Sequence, residues 1–250
     1  MHCPLCTRRR GALRSEHSAR ATRPALISIE ASLLDHAFGC STLCAALRRD
    51  GMVIIDNSDT QMEERRHRCL QAAERFFALP CAAKRKHAAS DGPGCQVGYM
   101  VIEELGAEMF EAKRHHDPRW PWPDEQTRDD IVGYRENLHA IARTCLRALA
   151  QPTCALGLRP GYLESLLDQD RSDGTSTDLT TCSNTTMRIW RYLPDGVGNE
   201  VHCDNTLLTV APPGTCIGLG ARRVEDGRWL WPEQLMKPGQ VCAPLLIRSA

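Results

Sequence analysis

The sequence predicts an α+β fold, in which a mostly helical front half precedes a β-rich back half. Two observations predict this order. Before residue 150, apolar residues recur at three- and four-residue steps over several long segments, which is the spacing of amphipathic helices. After residue 184 the pattern changes to short apolar runs separated by proline and glycine, which is typical of strands joined by turns.

The front half predicts two short strands and three long helices. The strand at Met52–Ile55 is an uninterrupted apolar run bounded by turn residues, and the helix ending at Leu149 has the cleanest periodicity in the chain. Pro80 and Pro152 mark helix ends, because proline cannot continue a helix hydrogen-bond ladder. The predicted elements are strands over 25–29 and 52–55, helices over 31–49, 62–79 and 131–149, and a shorter helix from Pro160.

The back half predicts a surface loop followed by short strands. Residues 168–183 are rich in Ser, Thr, Asp and Gly, which favours an exposed loop. The predicted strands are Thr186–Tyr192, Glu200–Val210, Thr215–Leu219 and Arg228–Trp231.

Composition excludes several classes of function. Lys+Arg and Asp+Glu both number 31, so the net charge is zero and no nucleic-acid partner is expected. The chain has no apolar run of about 18 residues and no apolar segment near its start, so neither a membrane partner nor secretion is expected. The 13 cysteines are therefore expected to be reduced and mostly buried, as in a cytoplasmic protein.

Two basic segments have more than one interpretation. Residues 1–24 hold six arginines and one acidic residue, which favours a disordered basic arm and also resembles an organelle transit peptide. Cys3 and Cys6 beside His2 suggest half of a zinc site, but the tetrahedral site lacks a second cysteine pair, so an inert arm is the preferred interpretation. The run Lys84–His87 is expected to be a solvated face.

His202 and Asp204 are the candidate metal ligands. On a strand, residues i and i+2 point to the same face, so the imidazole and the carboxylate can close on one ion. This pair is two-thirds of the 2-His-1-carboxylate triad that binds non-haem Fe(II), but no histidine follows His202 in the chain. The alternative is a core histidine that is hydrogen-bonded to Asp204.

Six segments, in order, carry a resemblance to a known family. They are Leu47–Ile55, Arg75–Pro80 followed by Lys84, Gly98-Tyr99, Ala155–Leu158 followed by Gly161–Leu163, Met187–Tyr192, and the His-x-Asp-x-x-x-Leu-Thr pattern at 202–209. Together they resemble the plant-type, or isopenicillin N synthase-like, branch of the 2-oxoglutarate/Fe(II)-dependent dioxygenases.

The resemblance implies a fold, a site and an activity. It implies a dioxygenase N-terminal-type region over 25–167 and a partial double-stranded β-helix, or jelly-roll, core over 184–250. It also implies that His202 and Asp204 bind Fe(II), that Tyr192 binds 2-oxoglutarate, and that a monomer oxidises a small organic molecule with O₂ by hydroxylation, desaturation or cyclisation.

One departure from the family pattern bears on activity. The family's second iron-binding histidine and its 2-oxoglutarate-binding arginine have no counterpart in this sequence, and Arg248-Ser249 does not fit the family's Arg-x-Ser spacing. The resemblance therefore implies a C-terminally truncated chain. The alternative function is a truncated isoform or pseudoenzyme that is catalytically inactive.

Overall fold

A computed structural model of the chain describes residues 26–57, 59–88, 97–113, 122–167 and 185–244. It is a mixed helix and sheet structure, as the sequence predicts. The helices are α1 (Ala37–Asp50), α2 (Thr60–Phe77), α3 (Cys81–Lys84), α4 (Glu125–Leu149) and α5 (Tyr162–Ser165). The strands are β1 (Ser28–Glu30), β2 (Met52–Asp56), β3 (Gly98–Ile102), β4 (Ala107–Lys113), β5 (Thr186–Tyr192), β6 (Ala221–Arg222), β7 (Trp229–Leu230) and β8 (Gln240–Pro244).

The long helices begin and end where local chemistry satisfies their terminal groups. Asp59 caps α2 by accepting a hydrogen bond from the Gln61 amide, and Asp124 caps α4 by accepting one from the Thr127 amide. Helix α1 ends at Gly51, whose φ of 75° is a left-handed conformation that glycine adopts without a steric penalty. The predicted helix over 31–49 is divided at His36, because residues 31–35 form a 3-10 turn before α1.

Two three-stranded sheets carry the β structure. In the first, β2 lies between β1, which is parallel to it, and β8, which is antiparallel to it. In the second, β4 lies between β3 and β5, both antiparallel to it, and all seven of its residues are buried. Strands β6 and β7 form a separate two-residue ladder.

Both sheets share one hydrophobic core with α1, α2 and α4. Val53 and Ile55 of β2 join Phe110 of β4 in a single cluster with Phe76 of α2 and Ile141 of α4. Burying a side chain of this size stabilises the fold by about 1.5–3 kcal/mol. Within the described part of the chain, no helix is long and apolar enough to cross a membrane.

The back half contains fewer strands than the sequence predicts. Strand β5 has the predicted bounds, but Thr215–Leu219 is irregular, and Glu200–Val210 forms no strand. Side-chain hydrogen bonds from Thr209 to Asp204 and between Thr206 and Thr209 close this segment into a loop, which competes with ladder formation.

Lys84 departs from the expected solvated face. Its neighbours Arg85 and Lys86 are exposed, but Lys84 is only 5% exposed, and its ammonium group pairs with the Glu108 carboxylate. A buried lysine is stable only when it is paired in this way. Six of the nine described cysteines are buried, so most of these side chains lie in the interior as the sequence predicts.

Several sequence predictions lie outside the described residues. They concern the basic arm at 1–24 with its candidate zinc ligands, the loop at 168–183, and Arg248-Ser249.

Candidate metal and co-substrate site

The segment that carries the candidate ligands is fixed to the edge of the first sheet. Residues 202–204 lie in irregular structure, but the Thr209 amide donates to the Pro244 carbonyl at 3.3 Å. Ala211 and Cys242 then exchange two backbone hydrogen bonds of 2.8 Å. These contacts extend the first sheet beyond β8. The loop that carries the candidate ligands is therefore anchored to a sheet edge at its C-terminal end, Thr209.

His202 and Asp204 are brought together, although not on a strand. The His202 Nε2 atom lies 3.3 Å from Asp204 Oδ1, and both side chains are about half exposed, at 54% and 41%. The two side chains are close together, as predicted, but they lie in a loop and not on the predicted strand. The core-histidine alternative does not fit this degree of exposure.

The hydrogen bonds of His202 leave the correct ring nitrogen for a metal. Its Nδ1 atom lies 2.7 Å from the Glu200 carbonyl oxygen. Because a carbonyl only accepts, Nδ1 carries the proton, and in the neutral ring Nε2 then presents its lone pair toward Asp204. Metal-binding histidines in proteins are commonly oriented by such a contact through the other nitrogen.

Asp204 is oriented by a chain of two threonine hydroxyls. The Thr209 hydroxyl donates to Asp204 Oδ2 at 2.6 Å, and the Thr206 hydroxyl lies 3.0 Å from that of Thr209. Because the proton of Thr209 is committed to Asp204, Thr206 donates to Thr209. This contact leaves Oδ1, the oxygen that faces His202, available to an ion.

The two donor atoms fit one divalent cation. Two ligand atoms at about 2.1 Å from a metal and at right angles to each other are about 3.0 Å apart, close to the separation of Nε2 and Oδ1. Imidazole nitrogen and carboxylate oxygen are also donors that suit Fe(II). Among the residues that the structure describes, no group of three His, Cys, Asp or Glu side chains is placed to hold a metal.

Tyr192, the predicted 2-oxoglutarate ligand, lies on the other sheet. It is the last residue of β5, opposite Ala107 of β4, and its ring stacks on that of Trp190 with centroids 6.0 Å apart. Burial raises the pKa of Tyr192, so the phenol is a neutral donor at physiological pH. The structure shows no direct interaction between Tyr192 and either candidate metal ligand.

Two long-range contacts that the sequence does not reveal hold the loop after the ligands. The Arg66 guanidinium of α2 donates to the Pro213 carbonyl at 2.8 and 3.1 Å. The Glu233 carboxylate accepts from the amides of Gly214, Gly218 and Leu219 at 2.6–2.9 Å. Neither contact has a local sequence signal, because the partners are not neighbours in the sequence. Arg66 and Pro213, for example, are 147 residues apart. Thr209, by contrast, belongs to the His-x-Asp-x-x-x-Leu-Thr pattern.

Several solved structures are similar in fold to this chain over most of its length. The C-terminally truncated T7H of Neurospora crassa in apo form matches with a TM-score of 0.67 and 18% identity, over 93% of this chain and 86% of that one. A 2OG-Fe(II) oxygenase family protein from Caulobacter crescentus matches with a TM-score of 0.65 and 20% identity, over 88% and 73%. The chain has the fold of the 2OG-Fe(II) oxygenases.

A third match is a complex with bound cofactors. JOX2, solved with 2OG, Fe and JA, has a TM-score of 0.64 and 18% identity, over 88% of this chain and 64% of that one. No protein-family model and no curated protein matches the sequence. The relation therefore rests on the fold.

Proposed function

We propose that the chain is a non-haem Fe(II)- and 2-oxoglutarate-dependent oxygenase that acts, as a monomer, on a small organic molecule. The observation that carries this proposal is the 3.3 Å approach of His202 Nε2 to Asp204 Oδ1, with each side chain held from behind by a second contact. Contacts of this kind orient the ligand side chains of metal sites in proteins. The fold of the 2OG-Fe(II) oxygenases supports the same conclusion.

The residues of this chain have separate roles in the proposal. His202 and Asp204 hold Fe(II), and the Tyr192 hydroxyl donates to the distal carboxylate of 2-oxoglutarate. Bound iron supplies the activation of O₂ that couples the decarboxylation of 2-oxoglutarate to hydroxylation, desaturation or cyclisation of the substrate. Thr209 and the Glu200 carbonyl fix the directions in which the two ligand atoms point.

The same proposal extends to the division of the chain. Residues 25–167 form the N-terminal-type region, which supplies α1, α2 and α4 as a support for both sheets. Residues 184–250 form the part of the jelly-roll core that carries the ligands. The β5 strand and the sheet edge at Thr209 and Ala211 belong to this part.

An anaerobic titration with Fe(II) and 2-oxoglutarate tests this function. Binding of 2-oxoglutarate to protein-held Fe(II) gives a visible metal-to-ligand charge-transfer band. We expect the band in the native chain and its loss in His202→Ala. The matched control His67→Ala removes an exposed α2 histidine whose Nε2 atom lies 2.9 Å from Gln71 Nε2, and it should retain the band. A native chain without the band contradicts the proposal and supports the catalytically inactive alternative.

A further inference from the structure

We propose that a cleft in the front half of the chain binds a small organic acid, whose carboxylate pairs with Arg65 and whose apolar part covers Leu34 and Ile141. The cleft has a volume of about 410 Å³, which is in the usual range of small-molecule pockets. It is bounded by the 3-10 turn that precedes α1, by α2 and by α4. None of the described residues that line it belongs to the candidate metal site, so binding here does not depend on the proposed function.

The charges of the cleft favour a single anion. Two carboxylates line it, and each already has an arginine partner. Asp35 Oδ1 lies 3.7 Å from Arg147 Nη1, and Glu136 Oε1 lies 2.9 Å from Arg135 Nη2. Arg65 is the cation of the lining, and in the described part of the chain it has no carboxylate partner. The uncompensated charge of the cleft is therefore one positive charge, at Arg65.

Arg65 is held in place by a neighbouring amide. Its Nη1 atom donates to Oδ1 of Asn137, which also lines the cleft. Because a guanidinium only donates, the oxygen of this amide faces Arg65, and its nitrogen remains a donor for a ligand. Among the described residues, Nε and Nη2 of Arg65 form no hydrogen bond. This edge of a guanidinium fits a carboxylate bidentately, so Arg65 and Asn137 together offer donors to one acid group.

The apolar part of the lining suits a hydrocarbon chain. Leu34 and Ile141 belong to the hydrophobic core, and the cleft reaches both side chains. Ala31 and Ala140 add small apolar surfaces beside them. Covering apolar surface is favourable in proportion to the area that is removed from water. A ligand that has both a carboxylate and a short apolar chain therefore matches this lining better than an inorganic anion does.

Ligand-observed NMR titrations of the native chain with three probes test the cleft. The probes are hexanoate, its neutral counterpart hexanamide, and acetate, which has the carboxylate without the apolar chain. We expect hexanoate to bind about tenfold more tightly than either, because hexanamide lacks the charge and acetate lacks the apolar contact. Arg65→Gln should remove the preference for hexanoate over hexanamide. The matched control Arg68→Gln, one turn further along α2 and paired with Asp130, should retain it.

A second variant tests the same charge without deleting Arg65. Asn137→Asp replaces the amide with a carboxylate of the same shape, which supplies Arg65 with a counter-ion from within the chain. The ligand then competes with this carboxylate, so the preference for hexanoate over hexanamide should be lost at an unchanged urea midpoint.

Three results would overturn the assignment of the cleft to organic acids. They are equal affinity of the native chain for hexanoate and hexanamide, a preference that persists in Arg65→Gln, and displacement of hexanoate by an equal concentration of inorganic phosphate. His202→Ala should bind hexanoate as the native chain does. These outcomes are therefore independent of the charge-transfer band that tests the proposed function.

Discussion

Two ionic clusters in this chain use similar residues for different purposes. The Glu108 carboxylate of β4 is 9% exposed and contacts Lys84, the Tyr99 hydroxyl and Arg191, so no oxygen is left for a ligand. The His202–Asp204 pair is about half exposed, and His202 Nε2 lies 3.3 Å from Asp204 Oδ1, so both atoms can be reached from solvent. The buried carboxylate with all its partners in place has a structural role, whereas we propose that the exposed pair binds a metal.

Removing a charge from the buried cluster should have the largest effect. In Lys84→Met the Glu108 carboxylate loses its closest cation while it remains buried, so the free energy of unfolding should fall by about 3 kcal/mol. Urea denaturation measures this change. Lys86→Met, two residues away and exposed, should change the free energy by less than about 0.5 kcal/mol. Equal effects of the two substitutions would assign the stabilisation to something other than the ion pair.

The buried cluster should also make stability depend on pH in the acid range. Burial raises the pKa of Glu108, but hydrogen bonds from Lys84 and Tyr99 and the nearby charge of Arg191 outweigh it and lower the pKa below its ordinary value. A carboxyl with a depressed pKa in the folded state stabilises above its unfolded pKa, and this stabilisation is lost as the pH falls through the folded value.

Urea midpoints between pH 7 and pH 2 test this dependence. The native chain should lose stability below about pH 4.3, the ordinary pKa of glutamic acid. Glu108→Gln should be less stable at pH 7 and should show a shallower decline on acidification. An identical decline in both proteins would show that other carboxyl groups control the acid transition.

The exposed pair should respond to substitution in affinity rather than in stability. Thr209→Val removes the hydroxyl that orients Asp204 Oδ2 and should weaken Fe(II) binding about tenfold or more. The free energy of unfolding should change by no more than about 1 kcal/mol. Thr206→Val acts one hydroxyl further away and should weaken binding less. An unchanged iron affinity in Thr209→Val would mean that the contact is not part of the site.

Cysteine labelling compares the loop of the candidate ligands with the buried core, and it needs no substitution. Cys203 lies between the candidate ligands and is exposed, whereas burial raises the pKa of Cys242 to about 12. Iodoacetamide at pH 8, followed by peptide mass spectrometry, should label Cys203 quickly and Cys242 only after unfolding. Added Fe(II) should slow the labelling of Cys203 but not that of exposed Cys216. Equal protection of both would contradict a local effect of the metal.

The parts of the fold that follow from local rules are predictable from the sequence. The spacing of apolar residues predicts α2 and α4, and the apolar run at Met52–Ile55 predicts β2. The predicted strand over Glu200–Val210 is wrong. The pattern of apolar residues that predicts strands carries no information on the side-chain hydroxyl contacts that close this loop.

Side-chain environments set by distant parts of the chain are not predictable in this way. The sequence predicts a solvated Lys84 because its immediate neighbours are charged. In the fold it is buried and pairs with the carboxylate of Glu108, 24 residues away. The contact between Arg66 and Pro213 likewise joins residues that are far apart in the sequence. The closeness of His202 and Asp204 was predictable because the two residues are only two positions apart in the sequence.

Equilibrium dialysis against Fe(II) under anaerobic conditions shows whether His202 and Asp204 hold iron. We expect the native chain to retain iron, Asp204→Ala to lose it, and Asp195→Ala, which changes an exposed acid in the preceding turn, to retain it. Iron retained equally by Asp204→Ala, or absent from the native chain, would contradict the assignment of His202 and Asp204 as the metal site.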